Sequence, residues 1–317
     1  MNALRLRGRR NPEDFFYGQA PIPQIGDGEV LVRVHAAAVT PTELAWAPTW
    51  TTRSGAARTL PIIPGHEFSG EIHAVGPGVT DVAAGDAVFG LNDWFRDGAQ
   101  AEYCVTRAAD VAPKPRSLDD VEAAVVPISA LTAWQGLIDR ACVAAGQRVL
   151  IHGASGGVGV FAVQLAHWRG ARVIGTAAAS NLDFARRLGA DEMIDYRTQH
   201  FEEIVRTVDV VFDTVGGETL ARSWNVLKPG GTLITIAASE EANRAQHARD
   251  AFFIVESNRR QLKEIARLID AGTLRPVVGS VFPLARASEA YAFKPAHGKT
   301  VLQVEKSAGA ASTHPAS

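Results

Sequence analysis

The sequence predicts an α/β protein, a β-rich domain of short strands joined to a doubly wound parallel sheet of six strands. Three observations carry this. A glycine-dense turn at 153–159 sits between an apolar run, Val149 to Ile151, and a second apolar run long enough for a helix. From Gln147 to Val255, strand and helix patterns alternate as βα repeats do. Before about Leu118, by contrast, turn signals crowd together (Gly26-Asp27-Gly28, Pro64-Gly65, Gly76-Pro77-Gly78, Gly85-Asp86, Asp97-Gly98) and leave room only for short strands.

In chain order, residues 29–40 alternate Val30, Val32 and Val34 against Arg33 and His35, the pattern of a half-buried strand. Further strands fit 69–75 and 86–89. Ser117-Leu118-Asp119-Asp120 reads as a helix cap with an acidic first turn, followed by helix over 121–140. Strands are then expected at 148–152, 172–176, 192–195, 208–213, 232–237 and 251–255. The intervening helices fall at 157–168, 181–188, 200–205 and 217–227, the last closed by Lys228-Pro229-Gly230-Gly231. Residues 258–271 form an amphipathic helix with Leu262, Ile265, Ala266, Leu268 and Ile269 on one face and Gly272 as its stop. Strands at 277–282 and 300–304 follow, then a small, polar tail, 307–317, expected to be disordered.

Composition narrows the function. At 317 residues there is chain for about two domains. A net charge of -2 gives no electrostatic case for nucleic acid or an anionic membrane. No apolar run reaches the roughly 18 residues of a membrane span. The basic start (Arg5, Arg7, Arg9, Arg10) has no apolar signal core after it, so the chain reads as cytoplasmic. Two cysteines, Cys104 and Cys142, are too few for a disulfide framework or a four-cysteine zinc site.

The turn itself carries the chemistry. Its last six residues, Ala154, Ser155, Gly156, Gly157, Val158 and Gly159, fit the dinucleotide fingerprint with alanine for the first glycine. Gly156 lets backbone approach a pyrophosphate, Gly159 lets the helix pack on the strand, and the helix N-terminus offers free N–H groups and partial positive charge. A glycine turn that binds nothing is the alternative.

Seven motifs in order then resemble one family: Pro64-Gly65-His66-Glu67-Phe68-Ser69-Gly70, Gly85-Asp86-Ala87-Val88, Leu131-Thr132-Ala133-Trp134, 153–159, Leu188-Gly189-Ala190-Asp191, Asp213-Thr214-Val215-Gly216-Gly217 and Leu227-Lys228-Pro229-Gly230-Gly231. Together they resemble the medium-chain dehydrogenase/reductase superfamily, in its zinc-independent quinone oxidoreductase-like branch. The resemblance implies a GroES-like catalytic domain from 1–122 and 256–317 and a Rossmann domain over 123–255, with the active site in the cleft between them. It extends the cofactor site to Thr132, Thr176, Ala177, Ser180, Tyr196, Val215, Ala237 and Phe253. Zinc-dependent members ligate metal with cysteines and a histidine. Here the cysteine positions align with Thr40 and Ile128, so no zinc is expected. His66 is then a polar group in the cleft or a histidine bonded to loop backbone, and Glu67 pairs with a basic group.

An NAD-binding sheet places an acid after its second strand, whereas here the chain reads Gly175-Thr176-Ala177-Ala178-Ala179-Ser180-Asn181. The missing acid favours NADPH, with Ser180, Asn181 and Tyr196, and Arg186 or Arg197, near its phosphate. Without metal the suited reaction is hydride transfer to a quinone or to the C=C bond of an α,β-unsaturated carbonyl. Thr40, Glu43, His66, Asn92, Trp94 and Thr132 are candidate cleft residues. Tyr103, His66 or water is the candidate acid, and Trp46 and Trp50 form an apolar wall or pack the β domain. A non-catalytic nicotinamide-binding protein and a zinc-type alcohol dehydrogenase or carbonyl reductase are the alternatives. The apolar segment 251–255, last in the sheet, is expected to pair two copies into a homodimer, unless a loop or the following helix covers it.

Overall fold

The computed structural model describes residues 1–8, 14–237 and 250–304. The tail 307–317, expected to be disordered, lies outside the described residues, as do Arg9 and Arg10. Asn2–Leu6 (β1) and Phe15–Gln19 (β2) pair as an antiparallel ribbon that sequence periodicity did not reveal. Glu29–Ala38 (β3) is the spine of the first domain. Val30, Val32 and Val34 are buried, as their alternation requires, with Arg33 and His35 on the half-buried side. Glu67–Val75 (β4) begins two residues before the expected start, because Glu67 and Phe68 pair with Leu91 and Gly90 of Ala87–Leu91 (β5). Tyr103–Arg107 (β6) pairs with β3, and Val111–Pro113 (β7) with β5.

The chain returns to this sheet at its end. Val278–Pro283 (β13) and Lys299–Gln303 (β14) complete the order β13-β14-β3-β4-β5-β7, with Val301 opposite Ala38. Strands from both ends of the sequence therefore share one sheet.

A short helix, Ala47–Trp50 (α1), precedes β4. The expected helix over 121–140 is broken into Asp120–Ala124 (α2) and Pro127–Trp134 (α3), with one wide-turn segment at Gln135–Arg140. Pro127, with no N–H to give, starts α3. Asp119, not Ser117, caps α2, in a reciprocal pair with Glu122. The Ser117 hydroxyl instead donates to Asp270 at 2.8 Å.

In the second domain the strands Arg148–His152 (β8), Arg172–Ala177 (β9), Glu192–Asp195 (β10) and Val208–Asp213 (β11) match expectation closely. Leu227–Thr235 (β12) completes a parallel sheet of order β10-β9-β8-β11-β12. Gly157–Trp168 (α4), Leu182–Arg187 (α5), Phe201–Ile204 (α6) and Gly217–Ser223 (α7) connect the strands. Two expectations are corrected. Residues 228–231 do not end a helix. They form an excursion inside β12, between the rungs Val208–Leu227 and Val210–Thr232. Residues 251–255 do not form a sixth strand either, since they contribute one rung, Thr235 to Phe252. The backbone beyond it is engaged elsewhere. The Val255 carbonyl accepts from Trp94 Nε1 at 3.1 Å, and Gln135 exchanges two hydrogen bonds with Glu256.

Arg259–Asp270 (α8) buries the five apolar residues expected of it in the core it shares with α3 of the nucleotide domain. Asn258 caps it by accepting from the Gln261 N–H. Ala287–Ala292 (α9) packs under the first sheet. No helix among the described residues is long and apolar enough to cross a membrane.

Phe212, on β11, is fully buried, and its ring fills the space that a side chain at Gly136 would need. Phe212→Ala is expected to cost about 3–5 kcal/mol in urea unfolding with an unchanged slope. Gly136→Ala is expected to destabilise by overpacking, about 1–3 kcal/mol. A Phe212→Ala loss below about 1 kcal/mol would show that the ring is not a core element.

Candidate functional site

The phosphate-type turn begins where β8 ends. Gly153 turns the chain at φ 72°, and the Ala154 N–H is held by the Thr176 carbonyl at 3.0 Å. A side chain at Gly159 would overlap the Gly153 carbonyl, so glycine here allows α4 to pack against its own turn. Gly156 is different. Only the Gly153 oxygen, at 3.3 Å, lies near its missing Cβ, so glycine here keeps space open beyond the N-terminus of α4. That space is a cavity of about 630 Å³ between the two domains.

Of the expected cofactor residues, Thr132, Gly156, Gly157, Val158, Val215, Ala237 and Phe253 line the cavity. Ala154, Ser155 and Gly159 frame the turn from outside that lining. Thr176 is structural: it is buried, with its hydroxyl 3.1 Å from His152 Nδ1 and within reach of the Gly153 N–H. Ala177 is buried at the end of β9. Beyond it Ser180 is exposed and Tyr196 is 59% exposed beside Arg197. Arg186 is paired with Asp183. Asn181 ties the turn to the returning chain, donating to Ser155 Oγ at 3.2 Å and to the Ala296 carbonyl at 2.7 Å. An open helix N-terminus, a glycine that leaves room and a strand end without a carboxylate fit a nicotinamide dinucleotide.

Two buried polar groups hold this end of the sheet. Asp213 accepts from the Val215 and Gly216 N–H groups and from Thr235 Oγ1, which fixes the turn that carries Val215 into the cavity. Burial pushes its carboxyl up, against those bonds. His152 lies between Thr176 Oγ1 and Ser223 Oγ, and burial, with Arg222 adding to it, lowers its pKa to about 3.

The opposite wall comes from the first domain. Thr40 lines the cavity and accepts from Lys299 Nζ at 2.8 Å. The same ammonium is bonded to Glu67, which is fully buried and whose second oxygen accepts the Ile128 N–H at 2.9 Å. Burial pushes the Glu67 carboxyl up, while the Lys299 charge and these hydrogen bonds oppose that rise.

The other expected catalytic residues lie elsewhere. His66 does not line the cavity. Its ring nitrogens face Glu43 at 3.4 Å and the Arg96 carbonyl at 3.2 Å, so the loop-backbone alternative describes it. Glu43 is buried and accepts the Gly65 N–H. Asn92 is spent on the Asp97 carbonyl and the Asp93 N–H, and Trp94 on Val255. Trp46 is a cavity wall, whereas Trp50 packs on Leu6 and Ile62. Tyr103 meets His73 edge to face and is not among the lining residues. Sequence reasoning missed Lys299, Ser129, Thr42, Phe252, Ile254 and Phe293, all of which line the cavity. The one available signal was a lone basic residue opening the final strand.

The residues at this wall do not fit a zinc ion. The resemblance puts Thr40 and Ile128 at the positions of the zinc-binding cysteines, and in the structure His66 is turned to other partners while an ammonium occupies the carboxylate. Among the described residues no group of three His, Cys, Asp or Glu side chains is placed to hold a metal.

Comparison with known proteins bears on this geometry. A family model described as alcohol dehydrogenase GroES-like domain matches residues 26–116, and one described as zinc-binding dehydrogenase matches residues 188–302. The chain is 32% identical over 306 residues to a fungal protein from Arthroderma benhamiae named "Probable zinc-binding oxidoreductase, mitochondrial", covering 90% of this chain and 91% of the relative. It is 32% identical over 298 residues to the chloroplastic NADPH-dependent alkenal/one oxidoreductase of Arabidopsis thaliana, covering 89% and 73%. Among solved structures, the quinone oxidoreductase from Coxiella burnetii superposes with a TM-score of 0.87 at 28% identity, covering 96% of this chain and 99% of that one.

The buried His152 generates a pH prediction. It is neutral in the fold, with a pKa near 3, against about 6.5 when unfolded. As pH falls below 6.5 the unfolded chain takes up a proton that the fold refuses, so stability drops until about pH 3. Between pH 6.5 and 4 the parent is expected to lose about 3 kcal/mol more than His152→Gln in denaturant titrations. Equal losses would contradict the assignment.

Proposed function

The chain belongs to the medium-chain dehydrogenase/reductase superfamily, and we propose that it is a zinc-independent reductase that transfers hydride from NADPH to a quinone or to the C=C bond of an α,β-unsaturated carbonyl. The oxidoreductase class follows from the family. The finer reading rests on one juxtaposition: a nucleotide turn and a wall of Thr40 and Lys299, the latter held from behind by Glu67, face each other across a cavity whose other walls are mainly apolar. Trp46, Phe252, Ile254 and Phe293 suit a flat, uncharged acceptor.

When bound, the cofactor supplies a hydride from its nicotinamide C4. The chain's own part is placement. Gly156 leaves room for the pyrophosphate, and the α4 N-terminus offers it N–H groups. Thr132 and Val158 line the cavity beside the turn. Alignment of this kind lowers a barrier by roughly 7–11 kcal/mol, and an oxyanion contact by about 3 kcal/mol more. NADPH is preferred in this reading because β9 ends without a carboxylate while Ser180 and Tyr196 are open to solvent. Names of relatives that act on alkenals or quinones support the acceptor class.

Two further readings belong to the proposal. Cytoplasmic placement is tested by fractionation. A homodimer through 251–255 rests on Ile254, 37% exposed beside the single Phe252 rung, and a monomer in light scattering would remove it.

The function is tested by stopped assays with a panel of quinones, enones and simple alcohols. NADPH is expected to be oxidised by the first two, and alcohols to be very poor substrates with NADP⁺. Deuterium from C4-labelled NADPH is expected on the β-carbon of the enone product. Label on the carbonyl carbon would make the protein a carbonyl reductase, and binding without turnover would make it a nicotinamide-binding protein. Elemental analysis is expected to find no stoichiometric zinc.

The cofactor site gives a separate prediction. Gly156→Val is expected to abolish NADPH binding, because the side chain enters the cavity, without loss of fold. Ala177→Asp is expected to shift preference toward NADH in fluorescence titrations, since it adds a carboxylate at the end of β9. Tighter NADH binding by the parent would overturn the NADPH assignment.

A further inference from the structure

We infer that the Lys299 ammonium is the positive charge that receives the developing oxyanion of the acceptor. The inference rests on the reductase reading above and adds the residue that carries its electrostatics.

Four observations support it. Among the described residues that line the cavity, Lys299 is the one that carries a charge. Its Nζ has three donors, and two are taken, by Glu67 Oε1 and Thr40 Oγ1, which leaves one for a ligand. Glu67 is fully buried and also held by the Ile128 N–H, so it acts as a fixed anion that keeps the ammonium in place without reaching the cavity lining itself. Finally, Ser129 Oγ is fully buried, has no hydrogen-bond partner and lies on the same lining. A cation with a spare donor, on a lining that also carries a buried unpaired hydroxyl near its stem at Gly157, describes a site prepared for an oxygen acceptor. The stem of Lys299 crosses Gly157 and its head continues to Thr40 and Glu67, on the first-domain side of the cleft. This direction favours the substrate oxygen over the cofactor phosphates.

In the proposed step the hydride pair arrives at the β-carbon of the enone. The C=C pair moves to the bond between the α-carbon and the carbonyl carbon, and the carbonyl pair moves onto oxygen. Lys299, with Ser129, stabilises that enolate oxygen by charge and hydrogen bonding. Protonation of the α-carbon by water completes the saturated ketone, leaving NADP⁺ and hydroxide, the latter neutralised by solvent.

Lys299→Met alone leaves a buried carboxylate unpaired and can unfold the chain. The test therefore uses Lys299→Met/Glu67→Gln, with circular dichroism and NADPH affinity measured alongside. The double variant is expected to bind NADPH within about threefold of the parent while kcat falls about 100-fold, the size of losing one oxyanion contact. A second readout needs no turnover. 4-Nitrophenol, titrated into the cofactor-free chain below its solution pKa, is expected to bind as the coloured phenolate in the parent and as neutral phenol in the double variant. Neutral phenol bound by the parent overturns the inference. So does a double variant with unchanged kcat, or one in which NADPH affinity alone falls. A parent that binds phenolate through Lys299 yet reduces no acceptor would overturn the reductase reading and leave the oxyanion site standing.

Discussion

A buried ammonium–carboxylate pair, Lys299 with Glu67, joins the last strand of the chain to the first domain, and the cleft is built around it. Neither charge is tolerable alone away from water, so strand β14 must lie where Lys299 reaches Glu67. The pairing of Val301 with Ala38 puts it there. The residues just before Lys299 then lie along the nucleotide turn. The Gly298 N–H donates to the Ser155 carbonyl at 3.0 Å, Gly156 and Gly298 form a bridge, and Asn181 holds the Ala296 carbonyl. One returning segment thus shapes both walls of the cavity. A substitution that loosens it would disturb both walls of the cavity together.

The nucleotide wall depends on a second set of buried polar groups behind the turn. His152, Thr176, Thr214, Asp213 and Thr235 satisfy one another and the backbone where β8, β9, β11 and β12 end. Strand ends leave backbone groups unpaired, and at a ligand-binding edge a side chain or a ligand must satisfy them. Here side chains do so beneath the surface, so the N–H groups at the start of α4 stay available above it.

The first-domain wall turns on how a histidine–glutamate dipeptide is partnered. The His66-Glu67 dipeptide is present, yet its two members face different partners. His66 goes to Glu43 and the Arg96 carbonyl, within a buried loop network. Glu67 goes to an ammonium and to the Ile128 N–H. His66 ends the loop before β4 and Glu67 opens the strand, so the change of backbone between them lets one dipeptide serve a loop network on one side and the Lys299 ammonium on the other.

By itself the sequence determined the parts whose cause is local. Strands at 148–152, 192–195 and 208–213 and helix α4 fall where the apolar periodicity ends, and the glycine turn lies between strand and helix as its spacing demands. The alternation of Val30, Val32 and Val34 fixed the buried face of β3. Tertiary structure decided the rest. The ribbon β1–β2 exists because two short segments meet, and neither has a pattern of its own. Residues 251–255 read as a strand, but Trp94 and Gln135 take the backbone around Val255 and Glu256, so one rung remains. His66, Asn92 and Trp94 looked available for chemistry, and packing gave each a structural partner. Lys299 looked like an ordinary lysine at the start of a strand, because the carboxylate that gives it meaning lies 232 residues earlier. Local propensity reads periodicity along the chain, whereas the identity of a site depends on which distant groups are forced together in a medium that does not tolerate them unpaired.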